Sequence, residues 1–444
     1  MSVSTPTEIV TWKQLCFFFV PLGLSATLVT LSHVIINSTL ARAANPEVII
    51  ATYALPLSLL GLTERPVVLL RQTCSTLVRD RISFRAMGAV SSYVFASIIL
   101  LGLIICYTPV GAWVFLYFFG VERELLAATI SVYRILMFVS IFSGLRCLFH
   151  GIIIFNMRTK WLTIGMTVRL LVMYLLSLYF ILTNHVTSGR VGAIIFLVGM
   201  VIEAAVAIWE GTSLLRQVIP EKVPEHPIET QKQIFNFYRP LLFSSVIAVI
   251  IGPSINAMLG KTTHIHLAIA SFAIAGSLTQ LVMSFFSYIH QIVLNFHRKA
   301  PDTVFRFSLL LSFIPGSLIA LLGYTPLGPL FMSHVMGVNT ELMQASLGTL
   351  RIFMLLTFVF PWLDYMNGII MLRGQTKVMV ASQSANAIVT IITSVTTVLL
   401  TPGWNGMIGA MAQSIGTVAE LLVVLYVLHR TADHQLHKPS PKNL

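Results

Sequence analysis

Charge is what this sequence has least of. Asp, Glu, Lys and Arg make up 10% of its 444 residues, against about a quarter in a soluble globular chain. A fold this poor in charge cannot turn its whole surface to water. Cysteine is scarce as well: Cys16, Cys74, Cys106 and Cys147 each fall in or beside an apolar stretch, with no close pair. That excludes a disulfide framework and a Cys-x-x-Cys metal site, and leaves the four as small core hydrophobes. Gly-x-Ser-x-Gly, His-Glu-x-x-His and phosphate-loop patterns are missing, so no enzyme and no cofactor is expected. The strict polar/apolar alternation of a membrane β-barrel is missing too.

What is present is apolar: 56% of residues are hydrophobic and the mean hydropathy is +0.86. Runs of about twenty residues, each able to cross a hydrocarbon core roughly 30 Å thick, recur along the chain. Breaks at Pro, Gly and charge predict spans near 12 to 43, 48 to 77, 84 to 107, 124 to 156, 161 to 183 and 191 to 215. Six more are predicted near 233 to 260, 265 to 296, 303 to 324, 340 to 372, 377 to 400 and 404 to 429. The fold class is therefore an all-α integral membrane protein of about twelve helices. Residues 1–215 and 233–430 form two six-helix bundles, 216–232 a polar, proline-punctuated linker, and 431–444 a tail. The first stretch is too long for the apolar region of a cleaved signal and is kept as a helix, although Ala41-Arg42-Ala43 resembles a cleavage site.

A net charge of +12 could point to nucleic acid, but the basic residues recur at the ends of apolar segments instead of forming one stripe. Nineteen Lys and Arg fall in loops on the side of the N-terminus and four (Arg42, Arg123, Arg190, Lys261) on the other. By the positive-inside bias, both termini and the linker are expected in the cytoplasm of a multi-pass protein. A monomer is expected, with membrane lipids around it and no nucleic acid partner.

The two halves repeat each other. A 219-residue offset carries Pro21-Leu22 onto Pro240-Leu241, Asn37 onto Asn256 and Ser58-Leu59 onto Ser277-Leu278. A 217-residue offset carries Tyr107-Thr108-Pro109-x-Gly111 onto Tyr324-Thr325-Pro326-x-Gly328. It also carries Gly120-Val121 onto Gly337-Val338, Arg134 onto Arg351, Gly199 onto Gly416 and Glu203 onto Glu420. Chance likeness between apolar helices would match Leu with Val, not this set of Gly, Pro, Asn, Arg and Glu. With six helices per unit, both units insert in the same sense, related by an axis along the membrane normal.

The Tyr-Thr-Pro-x-Gly break, the Gly-Val-x-x-Glu-Leu start of the next helix and the Gly-Ala-rich sixth and twelfth helices resemble the MATE/MOP exporter and flippase superfamily. Phe19-Val20-Pro21-Leu22-Gly23, Ala51-Thr52-Tyr53 and Leu350-Arg351-Ile352-Phe353 followed by Pro361 are similar to its progressive ankylosis (ANKH-like) branch. The resemblance implies two bundles around a central cavity and alternating-access secondary active transport. Its substrates would be small organic anions, amphiphiles or lipid-linked molecules, driven by an H⁺ or Na⁺ gradient. The alternatives are a flippase of lipid-linked precursors and a major-facilitator transporter, of whose loop pattern Arg79-Asp80-Arg81 to Arg85 is a partial echo.

Charges inside spans are costly, so each is a candidate. Glu203 and Glu420 lie deep in matched helices and could take up H⁺ or Na⁺ in one conformation and release it in another. A structural pairing is the competing reading. Arg134 and Arg351 occupy matched positions, Arg146 shares a face with His150 at i, i+4, and Arg169 has Asn386 as counterpart. Guanidinium groups grip carboxylate or phosphate bidentately, so these residues are candidates to line a cavity for an anionic group; for Arg134 and Arg351, snorkelling to headgroups competes. Asn37, Asn256, Asp364 and Asn367 complete the cavity candidates, with helix-joining hydrogen bonds as the other use. Glu64-Arg65-Pro66 is read as a kink.

Overall fold

The computed structural model describes residues 10–40, 42–44, 46–119, 121–224, 226–335 and 340–436. Gly120, Glu225, Gly337, Val338, Lys438 and Lys442 lie outside the described residues. The first half runs α1 (Trp12–Leu40), α2 (Pro46–Thr63), α3 (Arg65–Leu77), α4 (Arg81–Tyr107), α5 (Pro109–Trp113), α6 (Arg123–Leu136), α7 (Val139–Phe155), α8 (Lys160–Leu182) and α9 (Gly189–Gln217). The second runs α10 (Gln231–Leu259), α11 (Ile265–Phe286), α12 (Ile289–Phe296), α13 (Pro301–Tyr324), α14 (Leu327–Leu330), α15 (Thr340–Leu372), α16 (Lys377–Leu400) and α17 (Met407–Leu436).

Among the described residues eleven helical spans are long and apolar enough to cross a membrane, α6 with α7 and α11 with α12 each counting as one, and a twelfth forms if α2 and α3, bent by 41° at Glu64, count together. The bend follows from Pro66, which lacks an amide hydrogen and sits in the first turn of α3. The Tyr-Thr-Pro-x-Gly motif is a helix stop and restart. Thr108 ends α4 in extended backbone and its hydroxyl accepts the Val110 amide at 3.3 Å, while Pro109 opens α5. Thr325 accepts the Leu327 amide at 3.3 Å in the same way. Gly111 and Gly328 press against the carbonyls of Ile105 and Leu322, where a side chain would collide.

Packing divides the chain into Val20–Leu242 and Phe243–Leu444, the latter joined by the residues up to Phe19. Both divisions fall inside helices. The start of α1 belongs with the C-terminal unit through edge-on contacts of Trp12 with Phe307 (5.7 Å) and Phe18 with Phe296 (5.2 Å). The start of α10 belongs with the N-terminal unit, where the buried Tyr238 hydroxyl donates to the Pro66 carbonyl at 2.9 Å. The N-terminal core gathers Ile36, Tyr53, Tyr133, Met173 and Ile195; the C-terminal one gathers Ala275, Ile319, Leu350 and Phe353. Lipid is as apolar as these side chains, so close packing and hydrogen bonds between helices hold each unit together.

The loop between α3 and α4 clasps the linker. Asp80 caps α4 in a reciprocal box with Ser83, and its second oxygen accepts the Val223 amide at 3.1 Å. Arg81 donates to the carbonyls of Leu215 (2.8 Å), Arg216 (3.0 Å) and Ile219 (3.1 Å), and His226 Nε2 lies 3.0 Å from the Leu77 carbonyl. Burial alone would raise the Asp80 carboxyl. The Ser83 amide and hydroxyl and the Val223 amide outweigh it and hold Asp80 below its ordinary 3.8. The stretch that echoes the major-facilitator loop is thus a helix cap and linker anchor.

Candidate functional site: two buried carboxylates

Glu203, in α9, is buried and held from two sides. Arg169 Nη1 in α8 donates to it at 2.7 Å and Arg146 Nη1 in α7 at 3.1 Å, with all three side chains almost fully enclosed. Arg169 also reaches the Ser32 hydroxyl of α1 at 3.3 Å and lies over the Phe196 ring. Arg146 donates to the Ser143 hydroxyl at 3.2 Å, and Ser143 bonds in turn to Glu64. Two arginines and two carboxylates are therefore linked through α7, α8, α9 and the break between α2 and α3. His150, one turn beyond Arg146, is buried in the same region. The arginines expected to cradle an anion are already occupied by Glu203, because the pair is lower in energy inside a membrane than either charge alone.

Glu420, in α17, has no such partners. It is buried, accepts the Asn386 amide nitrogen at 2.6 Å and is also bonded by Gln383, both from α16. Asn386 is fixed in turn by the Thr390 hydroxyl at 3.0 Å. Among the described residues, no Lys, Arg or His forms an ion pair with Glu420. Gly199 and Gly416 let these helices close. A methyl on Gly199 would come within 2.6 Å of Met173 Cγ, and one on Gly416 would strike Thr390 Oγ1 and come within 2.5 Å of Asn386 Oδ1.

Glu420 faces a cavity of about 370 Å³ inside the C-terminal unit. Asn367, Gln383, Asn386, Gln413 and Thr417 supply its polar wall, and Phe353, Leu356 and Phe360 are among its apolar residues. Buried Asn367 Oδ1 and Gln383 Oε1 have no hydrogen-bond partner among the described residues, so two acceptors stand ready for donors. Among the described residues of this lining, Glu420 alone is ionisable.

The other candidates lie elsewhere. Arg134 and Arg351, for which a cavity and snorkelling to headgroups at the helix ends are competing readings, fold back on the ends of the preceding long helices. Arg134 donates to the Cys106 carbonyl at 3.4 Å and covers Tyr107; Arg351 donates to Gly323 at 2.8 Å and covers Tyr324. A cation there satisfies carbonyls at the negative end of a helix. Asn37 and Asn256 are exposed and outside the cavity lining. Asp364 is taken by His290, whose amide nitrogen lies 2.9 Å from one carboxylate oxygen and whose ring Nδ1 lies 3.0 Å from the other. Sequence reasoning missed His290 and Gln383. No motif marks either one, and each meets its partner only across a helix interface.

No family model matches the sequence, and a search of curated proteins finds no match. Solved structures do match. A MOP superfamily transporter from Pyrococcus furiosus, described as having a binding pocket of reverse polarity that suggests a different function, superposes with a TM-score of 0.75 at 14% identity, covering 95% of this chain and 96% of its own. A multidrug resistance MATE family transporter in an outward-facing conformation gives 0.74 at 14% identity over the same shares. A MATE transporter in the straight conformation gives 0.72 at 16%, again over 95% of this chain and 96% of its own. Nearly the whole chain thus adopts the helical fold of the MATE transporters of the MOP superfamily, as a multi-pass membrane protein.

Proposed function

We propose that the chain is a secondary active exporter of amphiphilic organic molecules, working by alternating access, with Glu420 as its ion-coupling carboxylate. The observation that carries this reading is the unequal pair of acids. Glu203 is neutralised by two arginines, whereas Glu420 meets only amides and opens on a polar cavity. An ionised carboxylate without a counter-charge costs several kcal/mol inside a membrane, and a bound H⁺ or Na⁺ removes that cost. Occupancy of Glu420 would then favour the closed arrangement, and its loss the hydrated one.

The cavity also bears on the substrate. It offers amide and hydroxyl acceptors beside aromatic and aliphatic walls, and no Lys or Arg among its lining. An ANKH-like exporter of small organic anions would need Arg146 or Arg169 to leave Glu203 first, so an amphiphile carrying N–H or O–H donors fits better. A flippase of lipid-linked precursors remains the second reading, favoured by the apolar half of the lining.

The test is transport in proteoliposomes under an imposed pH or sodium gradient, followed with a fluorescent amphiphilic dye. Glu420→Gln is expected to bind dye but lose the gradient dependence. Gradient-driven uptake at the wild-type rate in Glu420→Gln would remove the coupling role from this residue.

A further inference from the structure

A second cavity has no part in the site above. It is a groove of about 500 Å³ in the N-terminal unit, between α4 and the first three turns of α10, backed by Pro66 of α3. The Tyr238 hydroxyl on the Pro66 carbonyl fixes α10 against this wall. Val94, Ile98 and Leu242 make the trough apolar. Tyr93 and Phe235 form a rim that is 66% and 47% exposed.

One end is different. Where α10 begins, Lys232 lines the groove, is exposed, and forms no ion pair with a described residue. The two described acids of the adjoining linker are engaged with other bases, Glu229 with Lys222 at 2.9 Å and Glu221 with Arg85 at 3.8 Å. From Lys232 to Leu242 the helix rises about 15 Å. The groove therefore combines an apolar trough, set in helices that meet lipid, with a single unpaired cation at the end that the loop charges assign to the cytoplasm.

We propose that this groove is a binding site for one anionic phospholipid, its acyl chain laid along Val94, Ile98 and Leu242 and its phosphate at Lys232. Charge complementarity selects the occupant: a basic residue at the membrane surface attracts anionic lipid by about 1 kcal/mol. The trough supplies the rest by close packing along the chain, which offsets the entropy lost when the chain is ordered.

The experiment is native mass spectrometry of the full chain released from nanodiscs of mixed phosphatidylglycerol and phosphatidylcholine. One phosphatidylglycerol is expected to stay bound preferentially. Lys232→Gln, at an exposed helix start that tolerates polar residues, is expected to cut that preference about fivefold. Val94→Trp is expected to displace lipid of either headgroup. Ser97→Trp, on the outer rim, repeats that test if Val94→Trp does not fold. Arg239→Gln, on the same helix but outside the groove, is expected to change nothing. Equal retention of the two lipids, an unchanged preference in Lys232→Gln, or displacement of the lipid by inorganic phosphate alone would each overturn the proposal.

Discussion

Arg169 reaches Glu203 at 2.7 Å from the helix position that Asn386 holds in the other unit, and Asn386 reaches Glu420 at 2.6 Å. The same inter-helix contact is built twice with a different charge. Arg146, the second partner of Glu203, has Leu363 as its counterpart, so the C-terminal copy loses both cations together. One site is electrically closed and the other is open to an ion.

Glu203→Gln is expected to act on stability. It leaves Arg146 and Arg169 buried without a counter-charge, a loss of about 3–5 kcal/mol for a buried pair. Thermal unfolding in detergent should fall sharply for Glu203→Gln and only slightly for Glu420→Gln, which keeps its amide contacts. Equal stability of the two variants would contradict the assignment of Glu203 to structure.

Gly416→Ala probes the open site without altering charge. The added methyl pushes on Asn386 Oδ1 and Thr390 Oγ1, an overpacking cost of about 1–3 kcal/mol. Since Asn386 holds Glu420, the pH or sodium response of transport should shift as well. Gly61→Ala, which meets open space, is the control and should behave as wild type.

Asp80 makes the linker clasp pH-dependent. Its carboxyl titrates below the ordinary 3.8, so the clasp contributes fully above that value and is lost as pH falls through the depressed one. The protection factor of the Val223 amide, taken against the intrinsic exchange rate at each pH, should therefore fall on acidification. Asp80→Ala should expose it at neutral pH and cost about 1 kcal/mol through the lost helix cap.

Loop charges predict that the linker and the C-terminus face the cytoplasm. A cysteine placed at Glu221, which is well exposed, should react with a membrane-impermeant maleimide only after cells are opened. Labelling in intact cells would reverse the orientation.

The spans were legible because a membrane helix must be apolar along its whole length, so Pro301 and Lys377 mark starts that composition alone locates. The duplicated architecture was legible in residues that apolar drift does not produce, such as Gly199 with Gly416. The partners were not. Glu203 lies 57 residues from Arg146 and Asp364 lies 74 from His290, and apolar helices carry no periodic signal for which face meets which. The sequence left Arg134 and Arg351 between a cavity and a helix end for a related reason: a long side chain inside a span can reach a helix end, and its position along the sequence does not say whether it will.

The clasp has a practical meaning for dissecting the chain. A fragment ending at Gln217 would strip Arg81 of the Ile219 carbonyl and Asp80 of the Val223 amide. A fragment ending at Pro227 would keep both, together with the His226 contact to Leu77. Co-expressed halves should therefore be cut late in the linker, since Ile219, Val223 and His226 are an organ of the N-terminal unit and not slack between the two.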